Sequence, residues 1–319
     1  MHESIQLALI AMVFYGLSDW IYKSAASQGV QSYHFMAIQS MLFTPGILLY
    51  GYVTQSFYFE KSFFCGMTNG FITFLALYNF LSSLKSGAVS VIAPIFRLSF
   101  IITTILAVFF LDERFTLLKF LALCASLCAV FLLLGSEKKT SISQKALIQV
   151  IIATALMGVA SFIYKVGTLW GGTPATIITG QVSIFFPLAL GFAFYKDRGF
   201  RPIPVAWKYG ASASIFTLIA LILLLSGLKI GEVSTLVPIS QMGFIVTALM
   251  GYFLLKKITL KKVLMTSIGS SLIFFVITNF GVWASGSMYP LNVNGLISCF
   301  VLAIPFYKGT LLGFLFYSS

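Results

Sequence analysis

Apolar runs of about 20 residues alternate with short polar stretches along most of the chain. Ten of them fall near 4–22, 33–53, 62–83, 87–111, 117–135, 147–167, 175–195, 208–227, 232–255 and 262–283, and an eleventh follows near 295–316. A helix needs roughly 20 residues to cross ~30 Å of hydrocarbon, so each run predicts one transmembrane helix. Helices are required because lipid offers a backbone N–H no partner outside its own segment. The two-residue alternation of an outer-membrane barrel strand is missing.

The runs repeat. Gly16, Ile21-Tyr22-Lys23, Gln39 and Pro45 recur 142 residues later as Gly158, Ile163-Tyr164-Lys165, Gln181 and Pro187. Leu84-Lys85, Gly87, Val89-Ser90, Pro94, Phe100 and Thr103 recur 144 residues later as Leu228-Lys229, Gly231, Val233-Ser234, Pro238, Phe244 and Thr247. Each copy holds five spans. Five is odd, so the second copy enters the membrane from the opposite side, the inverted arrangement common in secondary transporters. The expected organisation is a first repeat over 1–135, a polar linker over 136–146, a second repeat over 147–275 and an extra segment with one span over 276–319.

Composition agrees with lipid as the solvent. The 319 residues are 59% hydrophobic and 9% charged, more apolar surface than a water-soluble core can hide. A net charge of +12 would point to nucleic acid in a soluble protein. Here the Lys and Arg residues lie mostly in short loops, which points to membrane orientation and anionic lipid. Fourteen of them fall on the side holding the loops after odd-numbered spans and the C-terminus, and five fall on the other side. The positive-inside rule then places the N-terminus outside and the C-terminus inside. The first span has a counterpart at 147–167, so it reads as part of the fold rather than as a removed leader. Cys65, Cys124, Cys128 and Cys299 all lie in or beside apolar runs and lack metal-site or disulfide spacing. With His2 and His34 as the two histidines, neither a metal site nor a His-based nucleophile is expected. No P-loop is present. No cofactor and no enzymatic activity are expected.

Ionisable groups inside a span are expensive, by roughly 2.5–3.5 kcal/mol on insertion scales. Arg97 stands about ten residues into the fourth span and one turn after Pro94. Proline frees a carbonyl of the preceding turn. The counterpart in the second copy is Pro238 followed by Gln241. A proline-loosened span with a polar group one turn later, in both copies, is the pattern of a midplane binding site. Arg97 there would hold a carboxylate or phosphate; the alternative is an internal pair that locks helices together. Asp19 and Lys23 are four apart with the acid first, the spacing of a helical ion pair. Asp19 is also the candidate for proton coupling, with Ser161 in its place in the second copy. Gln39 and Gln181 either bond across helices or line the cavity. Tyr78 and Asn79 face Ile222 and Leu223 in the repeat alignment, which makes one half of the expected cavity more polar. Tyr15, Trp20, Tyr22 and Tyr164 are either stacking surfaces or interface anchors.

Gly16-Leu17-Ser18 with Lys23, Ala88-Val89-Ser90 with Pro94, and Phe110-Leu111-Asp112-Glu113-Arg114-Phe115-Thr116 resemble the EamA-type transporters of the drug/metabolite transporter superfamily over about 5–275. Asp112 stands where that family typically has Gly in a Gly-Glu-Arg-like motif. The second copy departs from the motif with Lys256-Lys257-Ile258-Thr259. The resemblance implies ten spans with both ends in the cytoplasm, in contrast to the charge count. The tail, with Asn279, Trp283, Tyr289-Pro290 and Ala303-Ile304-Pro305-Phe306-Tyr307, resembles instead the C-terminal end of an uncharacterised bacterial family of membrane transport proteins.

The expected fold is thus an all-α polytopic membrane protein of two inverted five-helix repeats plus one extra C-terminal helix. The expected function is secondary transport of a small organic metabolite, amino-acid-like, otherwise anionic or zwitterionic, or drug-like, by alternating access across a bacterial cytoplasmic (inner) membrane. The substrate would be bound by Arg97, Gln241, Asn79, Tyr78, Gln39 and Gln181. Coupling to a proton or ion through Asp19 and Lys23, and assembly as a homodimer, are open additions. Nucleic acid is not an expected partner. The competing reading is a non-transporting scaffold or a nonfunctional fusion of two membrane proteins.

Overall fold

The computed structural model describes residues 2–84, 92, 95–116, 119, 120, 123, 124, 143–243, 246, 279, 282, 283, 289, 290 and 292–303. Among the described residues the chain is helical, without strands. The elements are α1 (His2–Ser27), α2 (Ser32–Val53), α3 (Lys61–Leu84), α4 (Ser99–Phe110), α5 (Gln144–Leu169), α6 (Pro174–Asp197), α7 (Pro204–Ile230) and α8 (Val233–Gln241), followed by α9 (Val293–Ala303). Six of them, α1, α2, α3, α5, α6 and α7, are long and apolar enough to cross a membrane. They coincide with the first, second, third, sixth, seventh and eighth expected spans. The spans expected at 117–135 and 262–283 lie largely outside the described residues, as do most of the linker and the motif at Lys256-Lys257.

The chain divides into two compact units: 3–247, and a second made of 1–2 with 248–319. In the second unit Asn292 Oδ1 accepts from Gly295 N at 2.7 Å and so caps α9, satisfying one of the free donors of its first turn. Trp283 Nε1 donates to Pro290 O at 3.1 Å.

In the first unit, side-chain and proline signals set the helix boundaries. Ser143 accepts from Ala146 N at the start of α5, and Thr173 accepts from Thr176 N at the start of α6. Pro174 and Pro204 open α6 and α7, where the missing N–H has no helical partner to lose. Arg198 ends α6 in the left-handed conformation.

Small residues decide how close the helices come. A Cβ at Gly66 on α3 would stand 3.0 Å from Gln181 N on α6, and one at Gly210 on α7 would stand 2.5 Å from Ile38 Cγ2 on α2. Gly66 and Gly210 are 144 residues apart. On α7, Ser214 Oγ donates to Gln39 O at 2.9 Å. Its counterpart Gly70 on α3 lies against the carbonyl of Gln181. The α3–α6 and α7–α2 contacts are therefore the same contact made twice.

A second contact is also made twice. A Cβ at Gly16 on α1 would meet Gly243 O and Val246 Cβ, each at 2.5 Å; at Gly158 on α5 it would meet Ser99 O at 2.8 Å and Ile102 Cβ at 2.7 Å. Ser99 and Ile102 are the counterparts of Gly243 and Val246, 144 residues apart in each case.

Candidate functional site

These crossings hold two helix interruptions in place. The helix described from Ile95 turns at Leu98 before α4 continues, and α8 turns at Met242. Leu98 N bonds back three residues to Ile95 O at 3.0 Å, and Met242 N bonds back three residues to Ile239 O at 3.1 Å. These are the tighter bonds of a 3₁₀ turn, a common mark of a hinge or functional break inside a helix. Leu98 and Met242 are again 144 apart. Pro238 lies inside α8, four residues before its break; its counterpart Pro94 is outside the described residues. Thr154 on α5 donates to Ile95 O at 3.2 Å.

The residue just before each break is polar: Arg97 in one copy, Gln241 in the other. Arg97 Nη1 donates to Gln241 Oε1 at 3.0 Å, so two equivalent residues are bonded to each other. Arg97 Nη2 donates to Asp19 Oδ2 of α1, forming an ion pair. The pair is partly buried: 24% of the Arg97 side chain and 23% of the Asp19 side chain remain accessible. Tyr15, one turn before Asp19, lies within electrostatic range of the pair and of Tyr164.

A Tyr–Gln bond joins the first two helices of each copy. Tyr22 Oη donates to Gln39 Oε1 at 2.6 Å, and Tyr164 Oη donates to Gln181 Oε1 at 2.5 Å. Gln39 Nε2 also donates to Thr217 Oγ1 at 3.1 Å, and Ser18 lies 2.8 Å from that same hydroxyl. Gln39 and Gln181 thus both bond across helices. Tyr78 packs edge-on against Phe192 at 5.3 Å, and Asn79 Nδ2 donates to Leu75 O of its own helix at 2.9 Å. Among the described residues neither bonds to Arg97. The expected Asp19–Lys23 pair falls on the Lys23 side chain, which lies outside the described residues; Asp19 itself meets Arg97.

Several polar devices escaped the sequence reading. Glu113 is buried, and its carboxylate accepts from Val233 N at 2.8 Å, from Ser234 N at 3.0 Å and from Ser234 Oγ. A carboxylate over the free N–H groups of α8 is favourable for both hydrogen bonding and the helix dipole. The acidic residue of the motif after the fourth span therefore has a structural partner in the ninth. Asp112, in the place of the family's Gly, holds φ 51°, a conformation that glycine adopts at least strain and Asp tolerates. Lys119 bonds to Ser234 Oγ at 2.7 Å and pairs with Glu232 at 2.8 Å. Lys165 is buried and donates to Leu228 O and Gly231 O, each at 2.6 Å, covering free carbonyls at the end of α7. At the opposite end of the α2–α6 pair, Asp197 accepts from Tyr33 Oη at 2.8 Å and is paired with His34. One signal was available for the Tyr–Gln bonds: the same two residue types recur 17 positions apart in both copies.

Comparison with known proteins adds a family. Residues 96–319 match a family of unknown function, DUF6580, which is well over half of the chain. The chain belongs to DUF6580. Residues 3–135 match the EamA-like transporter family, which marks a multi-pass membrane transporter of the drug/metabolite type. The DUF6580 match thus begins beside Arg97, covers the second copy and runs through the tail, while the EamA-like match covers the first copy. A solved structure described only as "Crystal structure of protein" is 13% identical and superposes with a TM-score of 0.64 over 77% of this chain and 86% of that one. At that identity the likeness shows a shared fold alone. No curated protein matches the chain.

Proposed function

We propose that this DUF6580 chain is a secondary transporter that moves a small organic solute bearing a carboxylate or similar anion by alternating access. The observation that carries this reading is the hydrogen bond between Arg97 and Gln241. Two residues at equivalent positions of the two copies bond to each other, as a pair on the axis of an inverted repeat would. Each stands at a break in its own helix. Transporters built from inverted repeats bind substrate on that axis, at discontinuous helices near the membrane midplane. A partly buried arginine with part of its surface accessible is suited to a carboxylate, which its planar fork can hold through two bonds.

Two inverted five-helix repeats and an extra C-terminal helix, set in a bacterial inner membrane, remain the architecture of this proposal. The N-terminus lies outside by the charge count. That count gains contrast from the structure. Lys119 and Lys165 belong to the sparse side, and both are occupied in internal bonds, so they contribute little to the surface charge there. In this scheme Asp19 and Lys23 are the coupling candidates, and Tyr78 and Asn79 belong to the outer wall of the cavity rather than to its charged centre. The alternative of a non-transporting fusion drew on the unfamiliar tail. The tail falls inside the same family match as the second copy, which favours a single functional chain.

The reading is tested by reconstituting the purified protein in liposomes and measuring accumulation of labelled small carboxylates and amino acids. Solute-specific uptake that disappears in a folded Arg97→Gln protein is expected. Uptake unchanged in Arg97→Gln removes Arg97 from the site.

A further inference from the structure

We infer that Asp19 occupies the seat of the substrate anion, so that a monocarboxylate binds by displacing Asp19 from Arg97 and is taken up together with one proton. This inference rests on the Arg97 site proposed above.

Both terminal nitrogens of Arg97 are already in use. Nη1 is bonded to Gln241, a neutral partner, and Nη2 to the Asp19 carboxylate. An incoming carboxylate that takes a two-point grip on the guanidinium needs Nη2 and therefore competes with Asp19. The two anions are chemically alike, so the resting structure already shows what geometry the ligand would copy.

Displacement takes from Asp19 the one counter-charge it has among the described residues. Among the described residues Arg97 is its hydrogen-bond partner. The groups that face it are Tyr15 and Tyr22 from α1, with Tyr164 of α5 beyond Tyr15 and Gln241 of α8 beyond Arg97. None of these is a cation. Lys23 stands one turn further along α1 in sequence. A carboxylate deep in protein and without a counter-charge is far more costly than the neutral acid. The balanced step is therefore one in which the substrate carboxylate replaces the Asp19 carboxylate on Arg97, and Asp19 takes one proton from water. The site begins with one positive and one negative charge and ends with the same two charges, the negative one now belonging to the substrate. The second copy could not do this, because Ser161 stands at the equivalent of Asp19 and donates to Met157 O at 3.1 Å.

A zwitterion would behave differently. Its carboxylate would take Arg97 and its ammonium would take Asp19, with no proton needed.

The experiment is calorimetric titration of the full-length protein in detergent with benzoate, lactate and pyruvate as monocarboxylate probes and L-alanine as a zwitterionic one. Each titration is run in two buffers of different ionisation enthalpy, so that protons are counted directly on the wild type. The expected result is that at least one monocarboxylate binds with uptake of one proton, about tenfold more tightly per unit fall in pH above the Asp19 transition. Asp19→Asn should bind the same probe at least as tightly, with no proton uptake and no pH dependence, and Arg97→Gln should not bind it. Monocarboxylate binding with no proton uptake by the wild type overturns the exchange, even if Asp19→Asn fails to fold. So does L-alanine binding that is lost in Asp19→Asn, which would make Asp19 a ligand of the ammonium; both results leave the Arg97 site standing. Absence of binding by every probe, in a protein that melts cooperatively, removes the exchange and the carboxylate reading of the site together.

Discussion

Arg97 and Gln241 stand on the same backbone and differ in chemistry. Each is the last residue before a tight turn, and each turn is crossed by a glycine of the other copy's first helix. Yet one position carries a charge and the other an amide, and the acid that answers the charge, Asp19, also comes from the first copy. Backbone geometry has been kept twice, while charge has been kept once. Two matched breaks allow two matched motions; a single charged pair gives those motions a single ligand to act on. The ends of the α2–α6 pair repeat the pattern. At one end Asp197 gathers Tyr33 and His34. At the other, Thr173 Oγ1 donates to Ser56 O at 2.5 Å, and Thr176 Oγ1 accepts from Tyr58 N at 3.0 Å, so the equivalent junction is neutral.

This contrast can be broken most severely at the charged position. Arg97→Met should reduce solute binding by about 100-fold or more, the loss of charge-assisted bonds each worth roughly 1.5–3 kcal/mol. Gln241→Met should reduce it by about tenfold, as expected for one neutral bond. Equal losses would mean that the amide matters as much as the charge. Asp19→Ala should lower stability by about 2 kcal/mol. A fully buried pair loses about 3–5 kcal/mol when one partner is removed, and here partial access moderates the loss. Ser161→Ala should change stability by less than about 0.5 kcal/mol. Denaturant or thermal melts of the two variants give both numbers.

Gly16→Ala and Gly158→Ala test the shared backbone instead. Each places a methyl group against a carbonyl and a side chain at under 3 Å, so each should lose about 1–3 kcal/mol, and the two losses should be alike. A large loss at one and none at the other would show that the crossings are equivalent in position but not in tightness. Glu113→Gln keeps the shape of the α8 cap and removes its charge. A loss of about 1 kcal/mol is expected, read from the melting temperature. The smallest effect belongs to Asp112→Gly, which relieves a left-handed residue and should change stability by no more than about 0.5–1 kcal/mol.

Much of this was legible in the hydrophobic pattern. The six long helices were, because lipid demands uninterrupted apolar helices of a fixed length. Arg97 stood out through its cost in a span and the proline before it. Its contact with Asp19 was not legible. Asp19 reads as a partner for Lys23 because four-residue spacing is visible in sequence, whereas contact with Arg97, 78 residues away, depends on how α1 crosses the break. Glu113 and Lys165 were hidden for a related reason. Both satisfy backbone groups at helix ends, and a sequence does not say which distant helix end a side chain will reach. Asn79 and Tyr78 were chosen by polarity, which does not show that Asn79 bonds to its own backbone and that Tyr78 packs on Phe192.

The central claim is that the Arg97–Gln241 contact lies in a cavity reached from each side of the membrane in turn. It is tested most directly by placing a single cysteine at position 241, Gln241→Cys, in a protein whose four native cysteines are replaced by alanine or serine. Labelling with a membrane-impermeant thiol reagent is then compared in right-side-out and inverted vesicles. The account predicts labelling from both sides, slowed in both by a solute that binds. Labelling from one side alone, or from neither with the solute absent, would contradict it.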